Sequence, residues 1–194
     1  MPERERIVEL VDRLSRIAHT LQFSGGLNPA QWEALRFVAR ANHRTCSPGA
    51  LSEFMGTTKG TVSQTIKALE AKGLVQRGRV AGDGRAVRIS ITDAGSALLD
   101  KDPLGAIHDA LTTCSPEDRI QLVDGMERLV GAVQRSVGVA EFGPCTECEH
   151  YRPERCSETN SLGCRCAVFG ELFSALEIDK ICADFSRDSS RRAS

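Results

Sequence analysis

A chain of 194 residues with 41% hydrophobic and 26% charged side chains has the composition of an ordinary globular protein of one or two domains, which excludes disordered and collagen-like polymers. No stretch approaches the roughly 18 to 20 uninterrupted apolar residues that a bilayer span demands, and the charged, amphipathic opening MPERERIVELVDRL lacks the apolar centre of a secretory leader. A cytoplasmic protein without a membrane partner is therefore expected. The formal net charge of −1 argues against a polyanion binder, and eight cysteines in a reducing compartment point to metal or redox chemistry rather than permanent disulfides.

In chain order, residues 5–22 place Ile7, Leu10, Val11, Leu14, Ile17, Ala18 and Leu21 at steps of three and four, one stripe along a helix ended by Gly25 and Gly26. Asn28 then reads as an N-cap, Pro29 as the first helical residue and Gln31 as the partner closing a capping box, with Leu27 and Trp32 spaced as a hydrophobic staple. Ser47-Pro48 starts another helix. Residues 48–73 read as two short helices joined at Gly56-Thr57, the second capped by Thr58 and ended by Gly73, which is a helix-turn-helix arrangement. Val62, Ile66 and Leu69 supply the core face of the second helix and leave Lys59, Thr61, Ser63, Gln64 and Lys67 outward. Short hydroxyl and amide side chains can reach base edges there, while the lysines neutralise phosphate.

Leu74-Val75-Gln76-Arg77 reads as a strand, and Val87, Ile89 and Ile91 alternate as a second, with a turn over residues 78–85 between them. The hairpin carries Arg77, Arg79, Arg85 and Arg88, with Asp83 placed to orient Arg85. An arginine on such a tip can enter an adjacent narrow minor groove. Residues 93–112 are helical but interrupted by Asp102-Pro103-Leu104-Gly105, where a kink or break is expected. Ser115 and Asp118 form a capping box before a long stripe of Ile120, Val123, Met126, Leu129, Val130 and Val133.

Charge divides unevenly along this order. Residues 56–92 carry seven basic and two acidic groups, a net of +5, whereas residues 93–140 net −4 and residues 141–194 net −3. A basic module is thus concealed in a neutral chain.

The segments LNPAQWEALRFVARA (27–41), ALSEFMGTTKGTVSQTIKALEAKGLVQR (50–77) and DGRAVRISITDAG (83–95) resemble the winged helix of the MarR family of bacterial transcription regulators. The resemblance covers about residues 5–137. It implies a mainly α fold with a small β-hairpin wing, and a homodimer whose N-terminal and last two helices interlock. It also implies one recognition helix per subunit (59–72), wing contact through Arg85, and a small aromatic effector in the crevice between reading and dimer regions. Half-sites about 34 Å apart on an imperfect palindrome follow from that symmetry. The domain reading is 1–140 for DNA binding and dimerisation, with the helix-turn-helix at 48–73 and the wing at 74–92, and 141–194 for a cysteine-rich module. Candidate DNA contacts are Thr58, Lys59, Thr61, Ser63, Gln64, Lys67, Arg77, Arg79, Asp83, Arg85 and Arg88.

The module is spaced Cys145-x2-Cys148-x7-Cys156-x7-Cys164-x-Cys166-x15-Cys182. A C-x-x-C pair presents two thiolates to one ion, and two later ligands complete a tetrahedron. The first choice is Cys145, Cys148, Cys166 and Cys182, with Cys156 and Cys164 as alternates. The tail is similar to cysteine-rich extensions of some MarR-like regulators. Zinc and an iron–sulfur cluster both suit four thiolates, and a dithiol switch is a third reading. His150 reads as a surface residue, Cys46 and Cys114 as buried small residues. A DNA-binding regulator with a metal- or redox-responsive tail is expected, the alternatives being an effector-driven regulator with a structural tail and a thiol or iron–sulfur redox protein using the winged helix as an interaction module. No catalytic Ser/His/Asp set or phosphate-cradling glycine loop is present, so a non-enzyme is expected.

Overall fold

The computed structural model describes residues 2–80, 83–155 and 162–188, and within these the side chains of all but residues 80, 83–86, 154, 155 and 162–164. The first helix, α1 (Glu3–Leu21), buries none of its residues. α2 (Pro29–Arg40) starts as its sequence dictates: Asn28 accepts from the Gln31 amide, the Gln31 side chain returns to the Asn28 amide, and Pro29 opens the first turn. α2 is the centre of the core, burying Trp32, Ala34, Leu35, Phe37 and Val38.

Around it pack α3 (Pro48–Phe54) and α4 (Lys59–Ala71), with Val62, Thr65, Ile66 and Leu69 inward. Ser47 caps α3 and Thr58 caps α4. Strands β1 (Val75–Val80) and β2 (Asp83–Ile91) form an antiparallel hairpin in which Val75 faces Ile91 and Arg79 faces Val87. The strands run further out than the residue pattern indicated, because backbone pairing continues where side-chain alternation stops. Leu74, Val75 and Ile89 close the core from the hairpin side.

The expected break falls where proline and glycine stand. α5 (Asp93–Leu99) ends before Asp102-Pro103, and α6 (Gly105–Ala110) follows it, continued by a 3-10 turn (Leu111–Thr113). α7 (Pro116–Val137) is capped by Ser115 and ended by Gly138 at φ 69°, a left-handed turn that suits glycine. Asp102 accepts from Arg36 Nε at 2.5 Å and Nη2 at 2.9 Å, tying the break to α2.

Residues 143–188 form a small, mostly β module. β3 (Gly143–Pro144) pairs with β7 (Ile181–Cys182), while β4 (Tyr151–Arg155), β5 (Leu162–Cys166) and β6 (Leu172–Phe173) make a three-stranded sheet in that order. Phe173 and Ile178 pack with Cys145, and Phe185 packs with Cys148 and Cys182. The module does not hang from the end of α7 but sits on the loop between α2 and α3. The Asn42 amide donates to the Ile181 carbonyl at 3.0 Å, the Ala183 amide donates to Thr45 Oγ1 at 2.9 Å, and Phe142 wedges against Phe37 and Phe54. Among the described residues no helix is long and apolar enough to cross a membrane.

Candidate nucleic-acid interface and cysteine pocket

The turn between α3 and α4 is fixed from inside. Ser52 Oγ donates to the Thr57 carbonyl at 2.6 Å, the Thr57 amide donates to the Ser52 carbonyl, and Gly56 takes φ 58°. That geometry projects α4 with Thr58, Lys59, Thr61, Gln64 and Lys67 exposed and Ser63 half-buried. The face expected to read DNA is therefore the solvent face of α4. Thr58 Oγ1 accepts from the Thr61 amide at 3.2 Å and lies 3.0 Å from Thr61 Oγ1, so these two hydroxyls are partly engaged in capping. Lys72 is drawn away to the Gly26 carbonyl at 2.5 Å and Gln31 Oε1 at 3.0 Å, stapling the end of α4 to the α1–α2 turn.

On the hairpin, Arg79 is exposed. Arg77 is ion-paired with Glu70 of α4, whose side chain also accepts from the Arg77 amide; the hydrogen bonds from Arg77 hold the Glu70 carboxyl below the usual carboxylate range. Arg77 thus braces the hairpin base against α4 instead of standing free for a phosphate. Arg88 is half-buried, with its Nε enclosed and unpartnered. The side chains of Asp83 and Arg85 lie outside the described residues.

In the module of residues 143–188, the four cysteines chosen from their spacing line the same cavity. Cys145, Cys148, Cys166 and Cys182 line one small cavity together with His150, Tyr151, Phe173 and Asp184, leaving about 10 Å³ of room, roughly one water-sized sphere. Cys145 and Cys148 flank a 3-10 turn (Cys145–Glu147), Cys166 ends β5 and Cys182 ends β7. Cys148 and Cys182 are buried and Cys166 is half-buried, and none of the three is in a disulfide. Among the described residues no three His, Cys, Asp or Glu side chains are drawn close enough to be a ready-made ligand set; the thiols share a pocket without yet closing on a point. His150, expected at the surface, is half-buried on the pocket wall. Cys156 and the side chain of Cys164 lie outside the described residues. Cys46 is buried, its thiol pushed up to about 11 by burial and donating to the Val38 carbonyl at 3.4 Å, so it stays protonated and inert. Cys114 is only half-buried.

The loop that receives the tail went unread in the sequence. His43 Nδ1 lies 2.7 Å from Glu177 and its ring 5.2 Å from that of Phe173, while Arg44 pairs with Glu171 at 2.6 Å and stacks over Phe169. The Arg44 hydrogen bond, followed by that of His43, holds Glu171 below its ordinary value. The only trace of this in the sequence is an aperiodic polar run, ANHRTC, between two helices.

Residues 25–86 match the sequence model of the MarR family. Three solved structures share the fold: a probable transcriptional regulator from Pseudomonas aeruginosa (24% identity, 66% of this chain and 99% of that one, TM-score 0.51), the MepR–DNA complex of S. aureus (18%, 69% and 99%, 0.53) and apo MarR from E. coli (20%, 67% and 97%, 0.51). Among curated proteins none matches. The fold is accordingly the mainly helical MarR-type winged helix, and these similarities leave about a third of the chain uncovered.

Proposed function

We propose that this chain is a DNA-binding transcription regulator of the MarR family, acting as a homodimer whose cysteine-rich tail holds a metal. The observation that carries the first part is the exposed polar and basic face of α4 beside a basic hairpin, in a segment of net charge +5. The MepR–DNA complex, with the same fold, supports duplex DNA as the ligand. Dimerisation is supported by two unpartnered apolar stripes. Ile7, Val8, Leu10, Val11, Leu14 and Ile17 on α1, and Ile120, Val123, Met126, Val130 and Val133 on α7, are all at least two-fifths exposed, more apolar surface than a monomer normally leaves open.

The metal reading rests on four thiols lining one cavity with apolar walls. Its room suits one thiolate-held ion better than a cluster, which favours zinc. Such an ion would be held by Cys145, Cys148, Cys166 and Cys182, and would link the 3-10 turn at Cys145–Glu147 to β5 and β7 in a module with little core of its own. In function, loading it favours one arrangement of tail and head over another, and DNA affinity follows by differential binding.

Titration of a labelled duplex from the DNA flanking its own gene tests the first claim. Affinity should fall steeply between 50 and 200 mM salt; salt-independent or undetectable binding to every duplex refutes it. Elemental analysis with an absorption spectrum on anaerobically purified protein tests the second. One zinc per chain in a colourless sample is expected, iron with sulfide in a brown one reassigns the metal, and metal-free protein that takes up none refutes the site.

A further inference from the structure

The loop between α2 and α3 is held by backbone at both ends. Its Cys46 carbonyl accepts from the Ile89 amide of β2 at 2.9 Å, and Ile89 faces Arg77 across the hairpin, close to the Arg79 and Val87 pair. At its other end Ala41 bridges in parallel to Ile181 of β7, whose carbonyl accepts from the Asn42 amide at 3.0 Å, and β7 pairs in turn with β3. Between these attachments the chain is a closed turn. The Asn42 carbonyl accepts from the Thr45 and Cys46 amides, and Asn42 Oδ1 accepts from the Arg44 and Thr45 amides at 3.1 and 2.9 Å. The next residue, Ser47, caps α3. A rigid element bonded to two neighbours carries a displacement of one to the other.

The tail meets this loop through side chains matched in charge and hydrogen bonding. Glu177 accepts from the His43 amide at 3.2 Å, Glu171 from Arg44 at 2.6 Å, and the hydroxyl of the buried Thr45 from the Ala183 amide at 2.9 Å. Head and module bury separate cores, with Phe142 and Ile181 packed against that of the head. A largely polar seat between two such bodies can open while both stay folded. We propose that the tail, seated on the 41–46 loop, positions the hairpin for DNA, with Thr45 and Arg44 as the positioning residues of the seat. This rests on the DNA-binding reading given above and needs no ion in the cysteine pocket. A seated tail fixes the loop, the loop holds Ile89, and the hairpin then offers Arg79 to phosphate in one arrangement. With the tail unseated the hairpin takes others, and affinity falls by the difference.

The test uses the full-length chain and the duplex flanking its own gene. Thr45→Val keeps the shape of the side chain and removes the acceptor for Ala183, and Thr45→Ser restores it. Thr45→Val should weaken binding about five-fold, the lower end of coupling between linked sites. It should also lower the slope of log affinity against log salt by about 1, as loss of one phosphate contact does. Thr45→Ser should match wild type, and in an Arg79→Ala background Thr45→Val should cost nothing further. Should Thr45→Val unfold, a charge exchange carries the comparison: Arg44→Glu and Glu171→Arg should each weaken binding, and the two together should restore it. Hydrogen exchange at the Ala183 and Ile89 amides should quicken in each weakened variant and return to the wild-type rate in the restored one. Exchange at Ile89 that stays unchanged while Ala183 is released overturns the link from tail to hairpin. Losses from Thr45→Val and Arg79→Ala that simply add overturn the route through Arg79, and an Arg44→Glu loss that Glu171→Arg does not repair overturns the seating role of Arg44. Wild-type protein that binds no duplex overturns the DNA-binding reading, and the exchange rates then still decide the link.

Discussion

Gly95, on α5, shows how narrowly a single position can be constrained. A Cβ there would lie 2.1 Å from the Leu74 carbonyl oxygen and 2.9 Å from Ile91, a contact with backbone that no rotamer relieves. Gly95→Ala should destabilise the protein by about 2–3 kcal/mol, the upper part of the range for overpacking, and chemical denaturation would show it. Asp102 is constrained by charge. Burial pushes its carboxyl up, but the hydrogen bonds from Arg36 and the Leu104 amide outweigh it and hold the group below its ordinary value. The sign follows from the folded value lying below the unfolded one: the contribution is complete above about pH 4 and is lost as pH falls through the depressed value. Asp102→Asn should therefore cost about 2 kcal/mol at pH 7 and lose less stability than wild type between pH 5 and 3, read from thermal melts across that range.

The elements divide by how local their causes are. α2, α3, α4 and α7 begin where Asn28, Ser47, Thr58 and Ser115 cap them, and a cap is legible because all its atoms lie within four residues. The break at Asp102-Pro103 was legible for the same reason. The role of Arg77 was not, since nothing in its own strand announces that Glu70, seven residues back, claims it. For α4 the consequences are separable by chemistry. Lys67→Ala should weaken every duplex alike and lower the slope of log affinity against log salt by about 1. Gln64→Ala should instead relax preference among sequences, by about 1–3 kcal/mol at one base pair if it is bidentate there. Anisotropy titrations on operator and scrambled duplexes at two salt concentrations distinguish the two behaviours.

At the scale of the molecule, α1 and α7 place apolar stripes on the surface of one chain. A single charge within each should suffice to keep two chains apart: Leu14→Asp with Val130→Asp is expected to give a folded monomer in light scattering after size exclusion, with DNA affinity reduced. That Cys145 and Cys148 lie on one pocket was legible, because a C-x-x-C pair is held within one turn. Where the module sits could not be foretold. Its seat is made by Asn42, His43, Arg44 and Thr45, whose partners lie more than a hundred residues away, and complementarity between distant polar residues leaves no periodic mark on either. The division at residue 140 consequently separates two stretches of sequence that the fold joins.

The hydrogen bond from Ala183 to Thr45 spans 138 residues of chain, and this sets an order in time. At roughly 5–20 residues per second of synthesis, α3, α4 and the β1–β2 hairpin emerge on the order of ten seconds before the strand that covers the loop between α2 and α3. Throughout that interval the Asn42 backbone amide and Thr45 Oγ1, whose partners in the folded chain are the Ile181 carbonyl and the Ala183 amide, have only water to pair with. A chain that has not yet reached Ala183, or that is cut before it, is therefore chemically distinct at the loop between α2 and α3 from one in which that contact has formed.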